Sequence, residues 1–214
     1  MTTSILLLHG LYTGNWIMQP LAFRLKQQGF TTHLFGYRST RQTLPEHAAA
    51  LAHELERLYD NKIDRLHFVA HSLGGLVLRH LAAMRPDLIK GRIVTIGTPH
   101  QGSAVAGRLY HSALLSRVLG QTYRHALDGK LPALPQGIEL GSLAGNHGVG
   151  LGKIFHIAGC NDGTVAVEET YCNGMQDHIV LPVTHTGMLF NQDVANQISV
   201  FLHYGHFIRP QNNQ

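Results

Sequence analysis

At 214 residues, 44% hydrophobic and 14% charged, the chain is long enough for one domain with a substantial core and too apolar for a disordered segment. Lys plus Arg number 17 against 13 Asp plus Glu, a formal charge of +4 with no dense basic run, which argues against a nucleic-acid partner. The 16 histidines make the surface distinctly more basic below about pH 6.

The N-terminal stretch Met1–Gly10 lacks the basic start and long apolar core of a secretory leader, so the expected location is cytoplasmic. Its apolar run, ending at Leu8, is far too short to span a membrane, and no stable membrane insertion is expected. Two cysteines, Cys160 and Cys172, are too few for a disulfide scaffold; reduced thiols are the default, and a bridge across the loop they bracket stays open.

Residues 4–8 form a continuous apolar run ended by His9-Gly10, which suits a strand buried on both faces. Met18, Leu21, Ala22 and Leu25 follow helical spacing, with Pro20 in the first turn and Gly29 at the stop. A second strand is expected over 30–35. After a loop to Pro45, Ala48, Leu51, Ala52, Leu55, Leu58 and Tyr59 predict an amphipathic helix. A strand over 66–70, a turn at Ser72 and a helix to about Met84 follow, then a strand over 92–96. This alternation of strand and helix predicts a mostly parallel sheet covered by helices on both faces. Residues 104–136 read as an irregular, cap-like insert, with Leu109, Leu114, Leu115 and Val118 as the apolar side of a possible helix. Strands are expected over 138–144 and 178–183. Val194, Ile198, Phe201 and Leu202 mark a last helix capped by Asn191, and 208–214 is a polar tail after a single domain of 1–207.

The turn at Ser72 carries the chemistry. Small residues stand two positions to either side, at Ala70 and Gly74, where larger ones would clash with a serine held in a strained conformation. The strand before and the helix after push the hydroxyl to the top of a sheet and leave the Leu73 N–H at a helix N-terminus, free to meet an oxyanion. The same pattern also fits a serine that merely caps a helix. A catalytic base belongs in a loop after a late strand. His185 stands there, whereas His178, His203 and His206 read as surface or packing histidines. The acid falls between the two in chain order. Asp162, in Asn161-Asp162-Gly163, is the first candidate, although that tripeptide is also simple turn chemistry; Asp128, Asp177, Asp193, Glu168 and Glu169 are the alternatives. The loop after the first strand, His9-Gly10-Leu11, supplies a second oxyanion donor in the Leu11 N–H, and His9 reads as its brace ahead of a second catalytic base.

These stretches, His9-Gly10, Ala70 to Gly75, Gly97-Thr98-Pro99-His100-Gln101-Gly102-Ser103, Asn161-Asp162-Gly163-Thr164-Val165 and His185-Thr186-Gly187-Met188, resemble the α/β-hydrolase superfamily. In particular they resemble its small lipase and esterase-like, inositol-deacylase-like group, over nearly the whole chain. Ala70 departs from the glycine many members carry, and the extra early antiparallel strands of larger members are missing. The resemblance implies a compact six-stranded version with no large lid, cleaving carboxylic esters of small-molecule or lipid-like acyl substrates. Ser72 attacks, His185 takes its proton, Asp162 orients the imidazole, and the N–H groups of Leu11 and Leu73 hold the oxyanion. No cofactor or metal is implied. His71 is then expected to pack beside the nucleophile or shape the pocket, Thr98 and His100 to line the acyl side of the cleft, and Leu109 to offer a wall to an acyl chain or belong to the core. A thioesterase or acyltransferase would use the same triad, and a non-catalytic binding protein could share the fold. The chain carries no signal for oligomeric state.

Overall fold

The computed structural model describes residues 3–63, 65–103, 107, 131–148 and 159–209. Its strands are β1 (Ser4–Leu8), β2 (Thr31–Phe35), β3 (Leu66–His71), β4 (Ile93–Ile96), β5 (Leu140–Gly145) and β6 (Asp177–Leu181). They pair in the order β2-β1-β3-β4-β5-β6, and every pairing is parallel. The helices are α1 (Gln19–Gln27), α2 (Leu44–Asp60), α3 (Leu73–Met84) and α4 (Gln192–Tyr204).

The unbroken apolar run Ile5–Leu8 of β1 follows from its place between two cores. Leu6 and Leu8 face Leu51, Leu55 and Leu76 of α2 and α3, while Ile5 and Leu7 face Leu21 and Leu25 of α1 and Ile198 and Phe201 of α4. Successive side chains of a strand point to opposite faces, so a strand covered on both must be apolar at every position. Each such side chain contributes about 1.5–3 kcal/mol relative to leaving it in water. Gly141 is the point of closest approach on the α4 side, since a Cβ there would lie 2.6 Å from the Phe201 ring.

Helix ends account for most differences from the periodicity. Helix α2 begins at Leu44, a turn earlier than the stripe from Ala48 that predicts it, and Leu44 extends that stripe into the core. Pro45 sits in its first turn, and the Glu46 carboxylate accepts from the Thr43 N–H at 2.7 Å and from its hydroxyl at 2.9 Å. That is a capping box, which opens the helix at Leu44, itself buried in the core. Helix α4 ends at Gly205, at φ 79°, and starts as expected, with Asn191 Oδ1 accepting from the Val194 N–H at 3.1 Å. The helix expected after 104, with Leu109, Leu114, Leu115 and Val118, lies outside the described residues, as does most of the 104–136 insert. Among the described residues no helix is long and apolar enough to cross a membrane. Cys160 is exposed and Cys172 buried, and both are free thiols.

The chain steps from β1 outward to β2, then crosses back to β3 and continues in the other direction. The loops leaving β1 and β3 therefore diverge and open a crevice at their C-terminal ends, which is where open α/β sheets place ligands. His9-Gly10-Leu11 and Ser72 are the residues at those two strand ends.

Candidate active site

Ser72 has φ 54° and ψ −122°, in the positive-φ region that disfavours a residue with a Cβ. The fold imposes this conformation from three sides. The Ser72 N–H donates to Ile96 O at 3.0 Å, and its carbonyl accepts from the Gly75 N–H at 3.0 Å and from Thr98 Oγ1 at 2.9 Å. Two glycines let α3 start so close to the sheet. A Cβ on Gly74 would lie 2.6 Å from His9 O, and one on Gly75 would overlap Thr98. The hydroxyl does not cap α3. Among the described residues it forms no hydrogen bond at all, to the helix or to His185, and Ser72 is partly exposed. Catalytic hydrogen bonds in an unliganded site are often long and tighten only with substrate.

Asp162 and His185 hang from the loops that follow β5 and β6. Their contact is short: His185 Nδ1 lies 2.7 Å from Asp162 Oδ2. The other oxygen, Oδ1, accepts from the backbone N–H groups of Thr164 at 2.9 Å and Val165 at 2.7 Å. The two backbones are also joined, His185 N–H to Asp162 O at 2.8 Å. Asp162 is 1% exposed, so the carboxylate is held in a fixed orientation away from water. Gly97, at φ 59°, closes the other side: a Cβ there would be 3.0 Å from His185 Nδ1 and 3.2 Å from Asp162 Oδ2. The remaining carboxylates have other work. Asp177 bonds to Arg209 and the Phe207 N–H, Glu169 accepts from the Ala166 N–H, and Asp193 sits in the first turn of α4. Asp128 lies outside the described residues. His178 bonds to Thr170 and stacks on Tyr171, while His203 and His206 bond locally at the end of α4.

Gly10 brings the first loop against the serine, since a Cβ on it would be 3.1 Å from both Ser72 Cβ and His71 Nδ1. His9 braces this loop. It is fully buried and stacks on Tyr37 with ring centroids 4.3 Å apart. Its Nδ1–H donates to Gly10 O at 2.8 Å, so Nε2 is the acceptor for the Tyr37 N–H at 3.3 Å. The Tyr37 hydroxyl donates back to His9 O at 2.7 Å. Among the described residues the N–H groups of Leu11 and Leu73 have no protein acceptor.

The side chains expected to line a pocket are engaged inside the protein instead. His71 is buried, and its Nε2–H donates to His185 O at 3.1 Å, tying the turn at Ser72 to the histidine loop. Its ring lies 4.6 Å from that of His185, and its Nδ1 has no partner. Thr98 is fully buried on the Ser72 carbonyl. His100 is buried against Thr95 Oγ1 at 3.0 Å, and its carbonyl accepts from Arg79. The physical reason is position: these residues end a central strand or fold back just after one, so their side chains go into the layers rather than the crevice. Leu109 lies outside the described residues. Among those described, no group of His, Cys, Asp and Glu is placed to hold a metal ion.

Burial sets the charge state of these histidines. Desolvation holds His9 below its ordinary range and His71 well below it, with His185 nearby adding to the effect at His71. Burial and then the neighbouring arginines push His67 down to about 4, and burial with Arg79 pushes His100 down to about 3. The unfolded chain therefore takes up protons that the folded one refuses. The stability these groups contribute is complete above the unfolded value of about 6.5 and is lost as pH falls below it toward the folded values. Tm is expected to be level above about pH 7 and to fall steeply between about pH 6.5 and 5, a window in which most carboxylates stay ionised. A calorimetric Tm unchanged across that window would contradict the buried neutral histidines.

A model of the Alpha/beta hydrolase family matches residues 5–154. The match contains the turn at Ser72 and stops short of Asp162 and His185. Residues of this chain are 32% identical over 77 positions to a triacylglycerol lipase of Pseudarthrobacter phenanthrenivorans, covering 36% of this chain and 24% of that protein. A triacylglycerol lipase of Burkholderia plantarii is likewise 32% identical over 77 positions, covering 36% and 21%. The matches thus span about a quarter of the length of these curated relatives. Among solved structures, the mature Bacillus licheniformis lipase BlEst2 superposes with a TM-score of 0.79 at 19% identity, over 97% of this chain and 93% of that one. The metagenomic carboxyl esterase MGS0156 superposes with a TM-score of 0.65 at 19% identity, over 86% and 64%. With the family match over residues 5–154 and a parallel sheet that places a strained serine at its crevice, the chain belongs to the alpha/beta hydrolase family.

Proposed function

We propose that the protein is a serine hydrolase of carboxylic esters, with Ser72 as nucleophile, His185 as general base and Asp162 as the acid that orients it. The observation that carries this reading is the 2.7 Å bond between His185 Nδ1 and Asp162 Oδ2 beside a serine at φ 54°. An imidazole held through Nδ1 by a carboxylate presents its Nε2 as the free base, and the ion pair stabilises the cation that forms. Ser72 attacks the ester carbonyl and passes its proton to His185. The N–H groups of Leu11 and Leu73 receive the developing oxyanion, each worth about 2.7–4 kcal/mol of transition-state stabilisation. The protonated His185 then delivers the proton to the leaving alcohol. Water, deprotonated by the same histidine, releases the acid from the acyl-enzyme. The lipase relatives and the esterase structures support an ester as the substrate class. The experiment is turnover of p-nitrophenyl butyrate by the wild-type protein, with the Ser72→Ala protein as control. Release of nitrophenol by the first and not the second is expected; no turnover of any short ester by the wild type overturns the reading.

A further inference from the structure

On the same end of the sheet as Ser72, a second depression of about 500 Å³ opens between the loops that leave β1 and β2. It is lined by Tyr12, Thr13 and the run from Tyr37 to Arg41. Its two walls are tied together, because the Tyr12 N–H donates to Ser39 Oγ at 3.1 Å. Tyr12 directly follows Leu11, and Gly10 packs against Ser72. Two residues of chain reach about 7 Å, so this depression adjoins the oxyanion loop.

Among the described residues its charge is uncompensated. Residues 1–45 contain no Asp or Glu, and the first carboxylate, Glu46, is held by the N–H and hydroxyl of Thr43. Among the described residues four arginines elsewhere pair with carboxylates: Arg57 with Glu54, Arg85 with Glu56 and Asp87, Arg92 with Glu139, and Arg209 with Asp177. Among the described residues Arg38 and Arg41 enter no ion pair. Both are exposed, with no carboxylate among the lining residues. A guanidinium offers a planar fork of donors that matches a phosphate or carboxylate in bidentate fashion. Two of them on a cleft wall with no opposing charge raise the local concentration of anionic substrate.

We propose that Arg38 and Arg41 form an anion subsite beside the oxyanion loop, so that the ester this protein hydrolyses carries a phosphate or carboxylate a few bonds from the scissile carbonyl. This deepens, and rests on, the hydrolase reading above.

The test compares three esters of butyric acid, those of glycerol, glycerol 3-phosphate and lactate, with the released acid titrated at low ionic strength. The wild type is expected to favour an anionic ester over the neutral one through KM, and the better of the two identifies the anion as phosphate or carboxylate. In R38Q/R41Q the ratio of kcat/KM values, anionic over neutral, is expected to drop about tenfold, the scale of one charge-assisted hydrogen bond lost. Inorganic phosphate should inhibit the wild type competitively and the double variant much less. Equal use of neutral and anionic esters by the wild type, or an unchanged ratio in R38Q/R41Q, overturns the subsite and leaves the hydrolase standing. No turnover of the three by a wild type that cleaves p-nitrophenyl butyrate overturns the subsite alone, and no turnover of that ester either overturns both.

Discussion

Ser72→Ala is expected to lower kcat for ester hydrolysis by about 10⁶-fold while leaving Tm close to that of the wild type. The two halves of that expectation have separate causes. The hydroxyl bonds to nothing in the described structure, and the strained backbone is held through the Ser72 N–H and carbonyl, which alanine keeps. Removing the oxygen therefore costs little in the fold. It removes the atom proposed to form the acyl-enzyme, and any rate that persists over water is then expected from the oxyanion donors and from binding alone. If the hydroxyl were instead a structural cap, the opposite split would follow, with a lower Tm and preserved rate.

Asp162→Asn is expected to lower kcat by about 10⁴-fold, again with the fold intact. Asp162 Oδ1 accepts from two backbone N–H groups, so the amide oxygen of an asparagine must take that place. Its NH₂ then faces His185 Nδ1, where Oδ2 had been 2.7 Å away. Only an unprotonated Nδ1 can accept from that NH₂, which forces the proton onto Nε2. The histidine then presents a donor where the Ser72 proton needs an acceptor. A loss of less than about tenfold would show that His185 is oriented by something other than this carboxylate.

Much of this site is legible in the sequence because its local rules are strict. No side chain fits at Gly74, and β1 is apolar from Ile5 to Leu8 because it serves two cores. Strand, serine turn and helix read directly from residues 66–84, and the order serine, acid, base follows from the fold class. The braces were not legible. His71 reaches the His185 carbonyl across 114 positions, and Thr98 reaches the Ser72 carbonyl across 26. Nothing in spacing says whether a polar residue at a strand end turns into the crevice or into the layer behind it. His71, Thr98 and His100 read as pocket lining and are buried supports. Gly97 did leave a signal, a glycine just after a buried strand. Its reason, the close approach of His185 and Asp162, needs the assembled loops. The early start of α2 was readable from Thr43 and Glu46 but masked by Pro45, which marks a loop as readily as a first helical turn.

The proposed role of Ser72 is that of nucleophile in a working triad. The most direct measurement is reaction with p-nitrophenyl diethyl phosphate followed by peptide mass spectrometry. An activated serine displaces one nitrophenolate, gains a diethylphosphoryl group, and cannot release it readily to water. The expected result is one equivalent of nitrophenol, complete loss of esterase activity, and a single adduct on Ser72 that is absent from the Asp162→Asn protein on the same timescale. An adduct on any other residue, or full activity retained alongside a phosphorylated Ser72, would contradict it.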